Sequence, residues 1–395
     1  MALITSRKLP DVYTEKTCGG PTRDYQDPAV WWSERCDGVD MVTATSGEVL
    51  TIYDDEAPYD WGNLQFGDTV GTYNADDSYF PVIRAAPGHK GTKTSGVRIE
   101  RIGVESFSYA LRASAPNIKV YDIAGKVTGT HSEATGHAFF GTAPGYVFAG
   151  CIAYDVSISS PSENPGVGWF LRESGTLVDC VGINIYGAYH HNTRNAGVYL
   201  RAGAETSALV VNIYNTTLTD SPVSFGFTKW EADDSITLNL KNTIYTDGTA
   251  EEGSGTVTIN ETTNATTGVT FAADGYSLDS TDTGAIDQGT DLSADADFAF
   301  NDDFFGTERP KGTAWDIGAH EYASISGTLK EKESGSGSPE HYILINELDG
   351  SVIEAGTAAA DGSFEVSVHG ESHTLIMPDK DGEYAPVAAS LLEGV

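Results

Sequence analysis

With 395 residues the chain exceeds what one ordinary core needs, so two or three units are expected. Against 57 Asp and Glu stand 23 Lys and Arg, a formal charge of −34 with no basic block, which argues against nucleic acid and anionic membranes because phosphate binding needs clustered cations. Glycine is abundant at 44 residues, Thr, Ser, Asn and Asp crowd the polar stretches, and long helical periodicity is nearly absent, an all-β profile. The charge would also repel a polyuronate unless a cation bridged it, and it suits a saline setting.

Residues 1–96 read as an N-terminal capping module. In "DPAVWWSERC", Asp27 is a helix N-cap and Pro28 the first helical residue, with Ala29, Trp32 and Cys36 expected on one buried side. "EVLTIYDD" and "FPVIRAAPGHKG" read as strands. "MALITSRKLP" has no apolar run long enough for a signal peptide, and no 18-residue apolar segment follows, so membrane insertion is not expected. Four cysteines are too few for a disulfide scaffold. Cys151 and Cys180 each follow the same marker residue and are expected to stack as small buried side chains. Cys18 and Cys36 have no further Cys or His at ligand spacing, so no metal site is expected.

From 97 to 272 one short phrase recurs: two small or apolar residues at alternate positions, then a polar or small one two further on. It reads Val97, Ile99, Arg101; Ile118, Val120, Asp122; Tyr146, Phe148, Gly150; Gly175, Leu177, Asp179; Val211, Ile213, Asn215; Leu238, Leu240, Asn242; Val257, Ile259, Glu261. The third positions are 21, 28, 29, 36, 27 and 19 residues apart. One β phrase per 20 to 36 residues is the signature of a solenoid whose coils share an inner stack. Parallel pairing and the crossover rule make this a right-handed single-stranded parallel β-helix. A sandwich would favour hairpin turns at shorter, regular spacing.

Three excursions, 128–145, 161–172 and 185–208, read as long loops on one lateral face. There Trp169, Arg172, Tyr189, Tyr199 and Arg201 form an expected sugar-binding surface, with rings for stacking and guanidinium forks for hydroxyls or acids. Beyond 322 the pattern changes to short alternating strands with turns at Asp349-Gly350, Asp361-Gly362 and Asp381-Gly382, a small separate β module over 323–395.

"TRDYQDPAVWW", "EVLTIYDDEAP" and "IRAAPGHKG", in this order ahead of a β ladder, resemble the first coils of pectin-lyase-like proteins of phages and bacteria. "AIDQG" and "ERPKGTAWDIGAHEY", with the acidic, Phe-rich run between them, resemble the terminal coil of right-handed parallel β-helix proteins, which makes 273–322 the expected closing coil. The resemblance implies that Asp287, Asp316 and Glu321 serve turn and backbone bonding there. "DADFAFNDD" has the carboxylates to hold calcium but no recognised ligand loop, so no cofactor is expected. The last 70 residues resemble a β-sandwich of carboxypeptidase-regulatory type, which carries no catalytic residues of its own.

Cleavage of a glycan would need two carboxylates about 5 to 9 Å apart, or a base with a group that neutralises a uronate. Glu173 with Glu205 is the best pair, and His190 or His191 with Arg194 the best elimination set. No motif of a characterised lyase accompanies them. The expectation is therefore a bacteriophage virion protein, a tail spike, fibre or capsid-surface appendage, assembled in the host cytoplasm, released on lysis and attached to host-surface glycan. It is expected to form a homo-oligomer, a trimer packed along solenoid flanks, beside other virion proteins. A polysaccharide lyase or glycosidase on the same scaffold is the alternative, and a bacterial surface adhesin a second one.

Overall fold

Successive side chains of a strand point to opposite faces, so a coil that turns one row inward turns the next row outward. In the computed structural model this alternation builds three parallel sheets of nine, six and seven strands. Described are residues 5–67, 73–104, 106–130, 135–159, 166–187, 194–203 and 206–323, with the backbone of 324–328, 341–346, 352–357, 363–368, 373–376 and 389–390. The chain is a parallel β-helix whose coils each contribute up to three strands.

The first sheet runs from Tyr13–Cys18 through Gly47–Ile52, Pro81–Ala85, Lys119–Tyr121, Tyr146–Ala149, Gly175–Val178, Ala208–Tyr214 and Ser235–Lys241 to Thr256–Thr262. Its inward column reads Leu50, Ile83, Val120, Phe148, Leu177, Ile213 and Leu240, each in register with the next. All seven are buried. Lys16 precedes the column and Glu261 follows it, so charge closes the apolar stack at both ends. Glu261 accepts a hydrogen bond from the Tyr245 hydroxyl at 2.6 Å.

The marker residue of the repeat is the corner after this sheet. Asp122, Gly150, Asp179, Asn215, Asn242 and Thr263 all have φ between 44° and 61°. Only Gly, Asn and Asp enter this left-handed region readily, which is why the third position of the phrase is polar or small. Two copies of the phrase belong elsewhere. Val97, Ile99 and Arg101 run into the second sheet, through the strand Arg98–Arg101. The last copy is two residues early, because Ile259 pairs with Leu238 and Glu261 with Leu240, which puts the corner at Thr263.

The second sheet holds Arg98–Arg101, Ala124–Gly129, Ile152–Ile158, Val181–Gly187, Thr217–Thr219 and Ile244–Tyr245. The third holds Leu64–Phe66, Phe107–Ala113, Thr135–Gly141, Gly166–Leu171, Ala196–Ala202, Val223–Lys229 and Thr249–Gly253. Three of these lie within the stretches expected to be loops. Inward residues of the third sheet, Leu111, Phe139, Trp169, Val198 and Phe225, are bulky. Those of the second are small at the same level, Gly125, Ala153 and Gly182. A Cβ on Gly182 would stand 3.1 Å from the Trp169 ring and 2.8 Å from Leu218, so small on one wall makes room for large on the other.

Helix α1 (Pro28–Arg35) packs on Gly47–Ile52 of the first sheet and Leu64–Phe66 of the third. Asp27 caps it, its carboxylate accepting from the Ala29 amide at 2.8 Å. The buried side is Pro28, Trp31 and Trp32, with Cys36 just beyond, while Ala29 is exposed, so the helix is rotated by a residue from the expected face. Both indoles meet Phe66 at the end of the core. All four cysteines are free and buried.

The segment expected to close the helix as its last coil adds no strand to the three sheets. It lies outside them as a strap. Leu292, Phe300 and Trp315 cover outward residues of the first sheet, among them Val82, Tyr121, Val147, Val178 and Tyr214. Tyr276, Phe304 and Ala319 cover Ile152, Tyr154, Val181 and Ile183 of the second. The physical reason is that both sheets are apolar on their outer faces as well, and burying such rows contributes about 25 cal/mol per Å². Asp287, Asp316 and Glu321 accept backbone amides within the strap, from Ala314, from Asp287 and Tyr322, and from Lys311 and Asp316. Beyond it, Ala323–Thr328 pairs antiparallel with Ser363–Val368, and His341–Asn346 with Val352–Thr357 and His373–Ile376. The three expected Asp-Gly turns lie outside the described residues.

Candidate functional site

Between the strap and the N-terminal segment, the first sheet turns part of its outer face to a cleft. Its outward column reads Val49, Val82, Lys119, Val147, Thr176, Asn212, Asn239 and Asn260. The lower part is an amide ladder: Asn239 donates to Asn212 and Asn260 to Asn239, each at 2.8 Å. The upper part is the floor of a cleft of about 700 Å³. Leu9 and Lys8 line it from the N-terminal segment, Asp77 and Phe80 from the approach to the third strand, and Asp297 and Phe298 from the strap.

Lys119 is the one charged residue of that column. Its ammonium donates to the Gly145 carbonyl at 2.8 Å and stands 5.4 Å from the Phe80 ring centroid. Burial pushes its pKa down to about 8, Asp77 working against the shift and Lys8 with it. An amine in that range is half protonated at about pH 8 and mostly protonated at neutral pH, able to hold an anion and, in its neutral fraction, to accept a proton.

The surface expected from sequence is divided by the fold. Trp169 is fully buried in the inward column of the third sheet, stacked on Phe139 at 5.5 Å, so it is no ligand platform. Because strand residues alternate, its neighbour Phe170 faces outward, in a ladder with Phe140 at 4.7 Å and Tyr199 at 5.0 Å. Tyr199 is itself buried there, donating to the Thr228 hydroxyl at 2.9 Å, so its ring is also unavailable. Arg194 pairs with Glu252 at 3.2 Å. Arg172 is partly buried where the third sheet hands the chain to the first. Glu173 accepts a hydrogen bond from the Thr206 hydroxyl. Tyr189, His190, His191 and Glu205 lie outside the described residues.

Of the expected surface, Arg201 meets an aromatic ring that sequence reasoning missed, Trp230. The Arg201 guanidinium lies 3.9 Å from the ring centroid of Trp230, which is 53% exposed. Trp230 sits at a turn whose only signal is "KWEADD", with Asp234 accepting the amides of Trp230 and Glu231 at 2.9 and 2.8 Å. Lys119 was equally silent, since nothing local marks one lysine among 23 cationic residues.

No known protein family, curated protein or solved structure matches the chain.

Proposed function

We propose that the protein is a structural β-helix of a bacteriophage particle that attaches to host-surface glycan. The observation that carries the glycan part is the cleft over the first sheet, whose rigid strands set a cation between aromatic and apolar walls. Trp230 with Arg201 offers a second exposed aromatic surface of the kind that stacks on a pyranose ring. The particle setting rests on the resemblance of the first coils to phage proteins. The test is retention of the full chain on host capsule or lipopolysaccharide. Specific retention, together with co-purification with particles, is the expected outcome, and failure to bind any host-surface glycan would sink the attachment reading.

The oligomer proposed with it is a trimer. The strap covers the apolar outer rows of two flanks; the outer row of the third sheet is itself buried except at Phe107, 42% exposed beside Tyr109 and Phe140, and the trimer contact is proposed there. Light scattering showing a monomer at micromolar concentration would count against the trimer.

A polysaccharide lyase is the second reading, favoured by the lowered Lys119 pKa, because a neutral amine can take the proton that β-elimination removes. Unsaturated ends released from host glycan by the wild type and not by Lys119→Met would establish it.

A further inference from the structure

Beneath the strap, the corner column of the first sheet carries an acid that no hydrogen bond holds. Asp179 is fully buried there among Arg7 of the N-terminal segment, Arg309, Asp302 and Asp303 of the strap, and Cys180, its neighbour in the chain. Five carboxylates, Asp179, Asp302, Asp303, Asp316 and Glu321, are buried with Arg309, while Arg7 divides its charge between Asp302 and Asp122. Backbone amides hold four of the five: Ser6 donates to Asp302, Phe305 and Thr307 to Asp303, Asp287 and Tyr322 to Asp316, and Lys311 to Glu321. Asp179 accepts no hydrogen bond among the described residues. The Arg7 and Arg309 guanidiniums stand 3.9 and 3.8 Å from its oxygens, beyond hydrogen-bond reach. All five N–H groups of Arg309 are spent on the carbonyls of Asp302, Asp316, Gly318 and Ala319 and on the Glu321 carboxylate. The next corner down is Asn215, fully buried and also without a side-chain partner among the described residues, so the column accepts a neutral group at that level.

We infer that Asp179 is a proton-operated latch: it is the neutral acid while the strap is closed, and loss of its proton lets the strap lift from the first and second sheets. A carboxylate buried without a hydrogen bond, in a group already rich in acids, is costly, and its neutral form escapes most of that cost. Burial and the neighbouring Asp302 accordingly raise this carboxyl well above its ordinary value, with Arg309 and Arg7 working against the shift. Lifting the strap puts water on Asp179, where it titrates near the ordinary aspartate value of about 3.9. Above that pH the open form has released a proton that the closed form keeps, so opening gains up to about tenfold with each further pH unit. What opens is the pair of apolar rows under the strap, Val82, Val147 and Val178 on one flank and Ile152, Val181 and Ile183 on the other. The latch is independent of what the cleft binds.

Hydrogen exchange of the full chain, followed by mass spectrometry on peptides from 276–322, reads the opening of the strap. Comparing wild type with Asp179→Asn at each pH cancels the pH dependence of exchange itself. Asn copies the shape of the neutral acid and tolerates the corner, where φ is 49°. Burial also raises Asp316, to about 8, and Glu321, so the variant is what isolates Asp179. From pH 5 to pH 8 the excess opening of the wild type over the variant should grow about tenfold or more, while Ala196–Ala202 of the third sheet exchanges alike in both. A constant ratio, a variant strap looser than the wild type's at pH 8, or a rise shared by Ala196–Ala202 would each overturn the latch. A second readout needs no variant: the infrared carbonyl band of a protonated carboxyl should be present in the folded wild type at pH 7 and vanish on unfolding in guanidinium. Absence of that band from the folded protein would overturn the inference as well.

Discussion

Arg7 and Asp302 are 295 residues apart in the chain, and their side chains meet at 2.6 Å. The same guanidinium reaches Asp122 at 2.9 Å and the carbonyls of Asp303 and Phe304 at 3.2 and 3.0 Å. One residue of the N-terminal segment thus ties a corner of the solenoid to the strap. The corner that it crosses is Gly150, where a Cβ would stand 2.2 Å from Arg7 and 2.4 Å from Asp122. Burial would raise the Asp122 carboxyl, but the charges of Arg7 and Lys90 outweigh it and hold it below the usual range.

Asp302→Ala should therefore loosen the strap. Asp302 is nearly inaccessible, and removing it takes from Arg7 one of its carboxylates, leaving Asp122, and takes from the Ser6 amide its acceptor, a cost of about 2 kcal/mol. Urea denaturation measures it, and limited proteolysis should show earlier cutting between 276 and 322. A loss under about 1 kcal/mol would mean that apolar contacts alone hold the strap.

The inward column makes a graded prediction. Leu177 is buried in the middle of the stack, and Leu177→Ala should cost about 3 kcal/mol. Ile259 lies on the last strand of the first sheet and is partly exposed, so Ile259→Ala should cost less than about 1.5 kcal/mol. Equal losses would contradict a single continuous core.

His137 supplies a pH dependence. It faces outward from the third sheet among Phe107, Phe140 and Phe170, neither ring nitrogen has a partner among the described residues, and burial pushes its pKa down to about 3 from 6.5. Between those values the unfolded chain binds a proton that the folded protein refuses, so acidification below about pH 6.5 favours unfolding. His137→Phe removes that site. At pH 5 the variant should be more stable than the wild type by about 2 kcal/mol, and at pH 8 that pH-dependent gain should vanish. An unchanged difference between the two pH values would show that the imidazole titrates normally.

The amide ladder predicts a position effect. Asn239 bonds to a neighbour on each side, so Asn239→Ala breaks two hydrogen bonds on a partly exposed face, a loss of about 1 kcal/mol. Asn260 ends the ladder and is exposed, and Asn260→Ala should cost about half as much. Thermal melts of the two variants decide it.

The parallel β-helix was legible from short stretches of chain because its two requirements are local. An inward pair such as Ile213 and Val211 needs alternation over three residues, and a left-handed corner such as Asn215 needs a residue type that tolerates φ of 44°. Both recur with each coil, so the sequence by itself determined the stacking. What only the tertiary structure decided is which surface each remaining residue meets. Trp169 reads like a loop aromatic until Gly125, Ala153 and Gly182 open the opposite wall to it. The stretch around Arg309-Pro310 reads like a closing coil until the apolar outer rows of two sheets draw it along the flank. Lys119 is one lysine among many until three distant segments enclose it. Burial and pairing are set by neighbours from about a dozen to nearly three hundred residues away, and no local pattern carries them.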